Sequence, residues 1–456
     1  MTGADLSDQI RVRGVQDQAS LPYANDYLDG FFVDVSHFSY FLELSMPTTA
    51  LSPIDEKLIS AEFLDDPYPL LRQLQEEDPV YWSESIGGWI VTRYDDIVPT
   101  FRDVAHFSNY GRFAKAVEYL PSEDRQKLVP FESHYRQKSL LQSDPPDHTR
   151  LRALMVKPFN ATSIEAMRPK IKKIVNDVID SVEQRREMDV IRDLAYPLPF
   201  SVLGAIMGLP EEHGDEIKHW ADEILLFQGV NRPPVALLER SQAALLAMRS
   251  FLTDLVNEKR RHPADDVISQ MVAAEAEGNR LTEQELVYTC VTIMGAGHET
   301  TTSLIGNGLY TILSHTEQWR KLRENPSLLT SAIEEMLRYE SPVARQPRVI
   351  KDDIELGGKK LLKGQVAFQM LNAANRDPAY FTDPGSFDIE RQNNKHLAFG
   401  MGIHFCLGAG LARIEAQEVF KAIMERLPNI RLASEKAVWD RHKPNSRMLH
   451  TLPVVF

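Results

Sequence analysis

Residues Phe399 to Arg413, FGMGIHFCLGAGLAR, constrain this chain more than any other stretch. One cysteine, Cys406, stands among Gly400, Gly402, Gly408 and Gly410. Leu411, Ala412, Arg413, Ile414, Glu415 and Ala416 are good helix formers, and the apolar pattern continues through Phe420 and Ile423. A glycine-rich loop therefore feeds a helix. Glycines let backbone pass close to a large flat object and open conformations that other residues avoid. The helix start brings unpaired N–H groups and partial positive charge beside the sulfur, which favours a thiolate over a thiol. Two uses fit such a cysteine: a small buried hydrophobe, or a thiolate ligand for a soft or borderline metal, haem iron included. A dinucleotide site does not fit, because Gly400-Met401-Gly402 lacks the third glycine and the βαβ unit.

Composition bounds the rest. The 456 residues are 43% hydrophobic and 25% charged, ordinary for a globular chain. A net charge of −14 argues against nucleic acid as the main partner. Cys290 and Cys406 are the only cysteines, too few for a disulfide framework, and they fit a reducing cytoplasm. The sequence contains no apolar run of about 18 residues to span a membrane, and no signal-peptide pattern.

Residues 1–45 are polar and end in an aromatic patch, Phe31, Phe32, Phe38, Tyr40 and Phe41; they read as a poorly ordered extension to a domain over 46–456. Structure is expected from Asp66-Pro67-Tyr68-Pro69, a helix entry with Leu70, Leu71 and Leu74 on its apolar face. Val80–Trp82 and Trp89–Thr92 flank Gly87-Gly88 as a hairpin. Residues 107–141 form a long irregular segment. Asp147 is placed to cap the next helix, on which His148 and Arg152 lie four apart and share a face: either a solvated polar face or a grip for an anion. Helical periodicity fills 163–262, broken at Leu225–Val235. Val349–Leu356 and Gln365–Leu371 read as strands.

Thr282 and Glu285 form a capping box that opens a helix running to about Ser314, roughly 48 Å long. Its buried centre is Gly295-Ala296-Gly297-His298-Glu299-Thr300-Thr301-Thr302. Each glycine there costs about 1 kcal/mol against alanine. Consecutive threonines weaken a helix, and a buried Glu299 needs a partner. Three local violations in one segment point to function. Small residues admit a flat cofactor and substrate. A threonine hydroxyl can bond the carbonyl one turn back or hold a water. A neighbouring carboxylate can relay protons. His298 and Cys290 read as packing residues.

FGMGIHFCLGAGLAR resembles the haem-binding loop of the cytochrome P-450 family, F-G-x-G-x-H-x-C-x-G-x-x-L-A-R, at every specified position. Four further segments occur in the family's order: His148-x-x-x-Arg152, Gly295 to Thr301, Glu335-x-x-Arg338 and Arg348. The resemblance implies a mainly α fold with a smaller β region, in a single domain. It implies haem b with Cys406 as axial thiolate, donating electron density that favours O–O cleavage. It places His148, Arg152, Arg348 and His404 on the propionates, and Ala296, Phe399, Gly400 and Gly408 against the cofactor. Glu299 and Thr300 become the acid and alcohol that deliver protons. Glu335, Arg338 and Arg391 become a buried structural ion set.

The family also puts substrate beside the 107–141 segment, the 225–235 lid and the strand entry. Candidates are Tyr110, Phe113, Val117 and Tyr119, then Leu226, Phe227 and Val230, then Val343 and Ala344, with Met448-Leu449 at a hairpin tip that closes the pocket. Arg345 is unexpected at a pocket-facing position; it either binds an acidic group or points outward. The implied activity is monooxygenation of a lipophilic compound with dioxygen, by a cytoplasmic monomer. Electrons would come from a separate ferredoxin and NAD(P)H-dependent reductase, with Arg150 and Lys157 as candidate docking charges. Two alternatives stand beside this: a peroxide-driven haem oxygenase and a non-enzymatic haem ligand sensor.

Overall fold

Ordered structure starts earlier than the Asp66 entry expected from the sequence. In the computed structural model, residues 51–156, 158–276 and 281–456 are described; the 1–45 extension and Lys157 lie outside them. Two short helices, α1 (Pro53–Leu58) and α2 (Ala61–Asp65), come first. They are too short for apolar periodicity. Serine caps define them instead: Ser52 accepts from the Asp55 N–H at 3.0 Å and Ser60 from the Phe63 N–H at 3.1 Å.

Helix α3 (Tyr68–Glu77) buries Leu70, Leu71 and Leu74. Strands β1 (Val80–Ser83) and β2 (Gly88–Val91) pair antiparallel around Gly87, whose φ is +72°. After α4 (Tyr94–Arg102) and β3 (Phe107–Ser108), the long segment contains α5 (Val129–Tyr135). Helix α6 (Asp147–Met155) carries His148 and Arg152. Asp147 does not cap it: Pro146 holds the cap position, and the Asp147 carboxylate pairs with Lys138 at 2.7 Å.

Helix α7 (Ala161–Glu183), strand β4 (Glu187–Asp189), α8 (Pro197–Met207), α9 (Gly214–Leu225) and α10 (Val235–Arg261) follow. The break therefore falls at Leu226–Pro234, as its prolines and glycine require. Helix α11 (Glu283–Ser314) has both hydrogen bonds of its capping box. It is buried on nearly every face, as expected of a helix at the centre of a core. Its glycines answer to neighbouring helices. A Cβ on Gly297 would come within 3.2 Å of Leu203 of α8, and one on Gly308 within 2.9 Å of Met336 Sδ.

Met336 lies on α12 (Leu329–Tyr339), which ends in the buried ion set. Arg338 donates twice to Glu335 at 2.7 Å, both side chains being 0% exposed, and Arg391 reaches the same carboxylate at 3.1 Å. The Asp388 N–H and Asn394 amide add 3.0 Å bonds. Glu335 thus ties α12 to the meander before the cysteine loop.

The expected strand Val349–Leu356 is two strands. Strand β5 (Arg345–Ile350) starts earlier, and the chain turns at Lys351–Asp353 into β6 (Ile354–Leu356), paired with β7 (Lys359–Leu361). Strand β8 (Val366–Met370) completes the larger sheet, order β1-β2-β8-β5-β3. Helix α13 (Ala409–Arg426) follows the cysteine loop. Strands β9 (Arg431–Leu432), β10 (Val438–Trp439), β11 (Leu449–Thr451) and β12 (Pro453–Val455) close the chain, β12 pairing with both β4 and β9. All described residues belong to the unit Ser45–Phe456, and none of their helices is long and apolar enough to cross a membrane.

Candidate active site

The cysteine loop is shaped by two left-handed glycines, Gly400 at φ +67° and Gly402 at φ +72°. A Cβ on Gly402 would sit 2.6 Å from the Phe101 carbonyl oxygen, so only glycine fits. The Cys406 N–H donates to Phe399 O at 3.0 Å, closing the loop. Gly408 is the N-cap of α13, and its N–H acts on the sulfur in favour of the charged form. Burial pushes the Cys406 thiol up, outweighing that N–H and the Arg152 and Arg413 charges that act the other way. The sequence reading expected the helix start to favour the thiolate outright; here it offsets only part of the desolvation. A sulfur so placed keeps its charge when a metal cation binds it. Behind the loop, Arg413 lies 4.5 Å from the Phe399 ring centroid and is held by Glu334 at 2.7 Å.

A positive cradle adjoins the loop. The His148 and His404 rings are 4.2 Å apart, and both Nε2 atoms are buried with no hydrogen-bond partner among the described residues. Arg348 is buried with only the Pro347 carbonyl and Gln346 side chain as acceptors. Burial brings it down to about 10. Arg152 feels both Cys406 and His148. Burial, reinforced by His148, Arg348, Arg112 and Arg152, holds His404 at about 2.

Arg112 belongs to this cluster and was missed in the sequence. Its Nε is buried without a partner, and burial together with Arg348 holds it at about 9. The available signal was a lone cation inside the Tyr110–Phe113 stretch. Five basic groups therefore converge with Asp144 as the one acid acting on Arg348 and His148. Such a cluster is costly by itself and fits a dianionic group; the two propionates of haem b meet that requirement.

On α11, Ala296 is the one exposed position between Met294 and Thr302. A small side chain at the middle of a buried helix thus opens onto interior space. The Thr300 hydroxyl donates to Ala296 O at 3.0 Å, one turn back. The flanking glycines serve packing: Gly297 meets Leu203 and Gly295 meets Leu225, rather than a flat ligand. Glu299 is buried, and its carboxylate turns to the C-terminal hairpin. It accepts from Lys443 Nζ at 2.9 Å and Ser446 Oγ at 2.5 Å. Lys443 lies 3.6 Å from Asp222, which accepts from the Tyr196 hydroxyl. Burial opposes the Lys443 charge, but Glu299, Asp222 and Asp440 together raise it above its ordinary value. Glu299 and Thr300 do not bond each other; each has its own partners. His298 packs on Tyr196, with Nε2 2.9 Å from the Tyr196 carbonyl, and Cys290 is buried.

The pocket candidates divide. Phe113 and Phe227 are buried with ring centroids 5.9 Å apart, and Phe131 and Tyr135 complete an aromatic block with them. Tyr110 and Tyr119 are exposed, their hydroxyls spent on Arg136 O and Pro233 O. Ala344 is buried, and Val343 bridges to Ser446. Met448 is not at a hairpin tip: its carbonyl accepts from Asp440 at the base, and Leu449 is in the core. The tip is the Lys443–Ser446 stretch, which the β10–β11 pairing leaves between the strands.

Arg345 does not point outward. It is buried, with Nε donating to Asn445 Oδ1 at 2.8 Å and Nη2 to Gly229 O at 2.9 Å. The break between α9 and α10 is thereby tied at three points. Gly229 accepts from Arg345, Asn231 donates to Ser85 O at 3.1 Å, and Pro233 accepts from Tyr119. Arg150 is engaged by Glu285 and lies 3.6 Å from Asp147, which leaves it poorly suited to docking.

A family model for cytochrome P450 matches residues 113–454. The chain is 37% identical over 401 residues to a biotin biosynthesis cytochrome P450 of Bacillus subtilis (strain 168), covering 87% of this chain and 98% of that protein. Among solved structures it is similar to P450BioI in complex with hexadec-9Z-enoic acid ligated acyl carrier protein. The TM-score there is 0.79 at 36% identity, over 87% of this chain and 100% of the other. It is similar also to the myxobacterial cytochrome P450 CYP267B1 in complex with myristic acid, with a TM-score of 0.79 at 36% identity over 88% and 98%. The chain belongs to the cytochrome P450 family. It is a haem-thiolate monooxygenase, an oxidoreductase whose cofactor is iron-protoporphyrin IX with a cysteine thiolate ligand.

Proposed function

We propose that this enzyme oxidises a lipophilic organic substrate at a haem ligated by Cys406. The observation that carries this assignment is the convergence of Arg112, His148, Arg152, Arg348 and His404 beside the Cys406 loop, all without paired carboxylates of their own apart from the influence of Asp144. In this reading those five groups hold the propionates, while Phe399, Gly400, Gly408 and Ala296 lie against the cofactor. When bound, the haem supplies activation of dioxygen, one atom entering the substrate and the other leaving as water. The chain supplies protons and dryness. The Thr300 hydroxyl, released from Ala296 O, holds a proton at the face of α11 that opens inward. Glu299 hands protons inward from its contacts with Lys443 and Ser446. The aromatic block of Phe113, Phe131, Tyr135 and Phe227 excludes water and favours an apolar substrate. The two solved relatives, one in complex with a hexadec-9Z-enoic acid ligated acyl carrier protein and one with myristic acid, support that substrate class.

Electrons come in this proposal from a separate ferredoxin and NAD(P)H-dependent reductase, the source that the family resemblance implies. Residues 46–456 are the catalytic domain, residues 1–45 an extension to it, and the enzyme acts as a cytoplasmic monomer. The test is the optical spectrum of the dithionite-reduced protein under carbon monoxide, for wild type and Cys406→Ser. A red-shifted thiolate-type Soret band is expected in wild type and is lost in the variant. A histidine-type band in wild type, or an unchanged band in the variant, overturns the assignment.

A further inference from the structure

Four arginines are buried among the described residues: Arg338, Arg345, Arg348 and Arg447. Arg338 has Glu335 at 2.7 Å and Arg447 has Glu340 at 3.1 Å. Arg348 belongs to the cradle beside the cysteine loop. Arg345 has neither an acid nor a place in that cradle. At 4% exposure it meets only neutral groups: Asn445 Oδ1, Gly229 O and the Phe368 ring, whose centroid is 5.2 Å from the guanidinium carbon. Its Nη1 donates to no described protein atom and is not among the atoms sealed from accessible space. Neutral acceptors orient a guanidinium without cancelling its charge, and an uncancelled buried charge is unfavourable.

Arg345 touches both the break between α9 and α10 and the C-terminal hairpin, where the family resemblance implies that substrate passes. Gly229 lies in the break between α9 and α10, and Asn445 lies at the hairpin tip. Ser446, next in the chain, holds Glu299 and bridges to Val343. Val343 and Ala344 immediately precede Arg345. One short segment therefore touches both the spare cation and the acid of the long helix. From this juxtaposition we infer that Arg345 is a binding residue for the carboxylate of a lipophilic monocarboxylic acid. A single uncancelled cation matches a single negative charge; a phosphate monoester dianion would leave an excess. The inference rests on the haem-thiolate reading and narrows its substrate class.

The test uses the holoenzyme of wild type, Arg345→Gln and Arg345→Lys. Saturated fatty acids of ten to sixteen carbons and their methyl esters are titrated, following the Soret shift that accompanies loss of iron-bound water. In wild type, at least one acid is expected to bind about tenfold or more tighter than its ester, the scale of one charge-assisted hydrogen bond. Arg345→Gln brings that ratio close to one without weakening the ester, and Arg345→Lys restores part of it. Wild type that fails to prefer any acid in the series overturns the inference. So does Arg345→Gln weakening acid and ester equally, which would make the arginine only a tie on the break. The reduced carbon monoxide spectrum, recorded on each sample, reports separately on the haem-thiolate reading.

Discussion

His134 is one residue whose protonation the fold forbids. It is buried between Tyr135 and Tyr288, with ring centroids 4.9 and 4.5 Å away, and its Nδ1 has no partner among the described residues. Burial, with Arg249 adding repulsion, brings it down to about 3. In the unfolded chain an ordinary histidine titrates near 6.5. As pH falls below that value the unfolded chain takes up a proton that the folded chain refuses, so stability is lost from about pH 6.5 downward towards 3. Between pH 7 and pH 5 this one group should remove about 2 kcal/mol. Urea midpoints at the two pH values, for wild type and His134→Phe, check it. The variant is expected to lose less stability by about that amount, and equal losses would reject the assignment.

Single elements of the fold make sharper tests than single contacts. Helix α11 carries glycines for two different degrees of closeness. At Gly295 a methyl group would lie 3.5 Å from Leu225, an ordinary contact. At Gly308 it would lie 2.9 Å from Met336 Sδ and 3.2 Å from Phe420. Gly295→Ala should therefore gain up to about 1 kcal/mol from helix propensity. Gly308→Ala, despite the same gain, should lose about 1–2 kcal/mol to overpacking. Thermal or urea unfolding of the two variants side by side decides this by sign. At the end of α12, Glu335→Ala would strand Arg338 as a buried, uncompensated cation. The expected cost is about 3–5 kcal/mol, read as loss of soluble protein with bound haem. Near-wild-type stability would show that the ion set does not fasten the meander.

Across the whole molecule, legibility followed distance along the chain. The cysteine loop, the capping box of Thr282 and Glu285, the hairpin at Gly87 and the break before Val235 are local patterns, and the structure has each of them. The family resemblance, carried by five ordered segments, anticipated the fold class and the buried Glu335 set. Partners far apart in sequence were not legible. Lys443 and Ser446 meet Glu299 from 144 and 147 residues away, and no periodicity announces such a contact. Arg112 joined the positive cluster for the same reason. The sequence puts the hairpin tip at Met448-Leu449, later in the chain than its Lys443–Ser446 position, since the register of two short strands is set by their pairing across a bulge rather than by composition. The two opening helices are too short to leave a periodic trace and depend on serine caps. Arg150, a candidate docking charge by sequence, is bound to the acid that also caps α11.

The three ties on the segment between α9 and α10 come from separate parts of the chain: Tyr119, the β1–β2 turn and Arg345 at the start of β5. No single tie is strong, but the segment is released only when all three let go together. If this segment is the way in that the family resemblance implies, admission of substrate is expected to behave as a rare collective opening rather than as diffusion through a standing door. Its rate is set by the enzyme at high ligand concentration and is steeply temperature-dependent. A guest that draws Arg345 to itself would loosen one of the fastenings, and so would carry part of the key to its own way in.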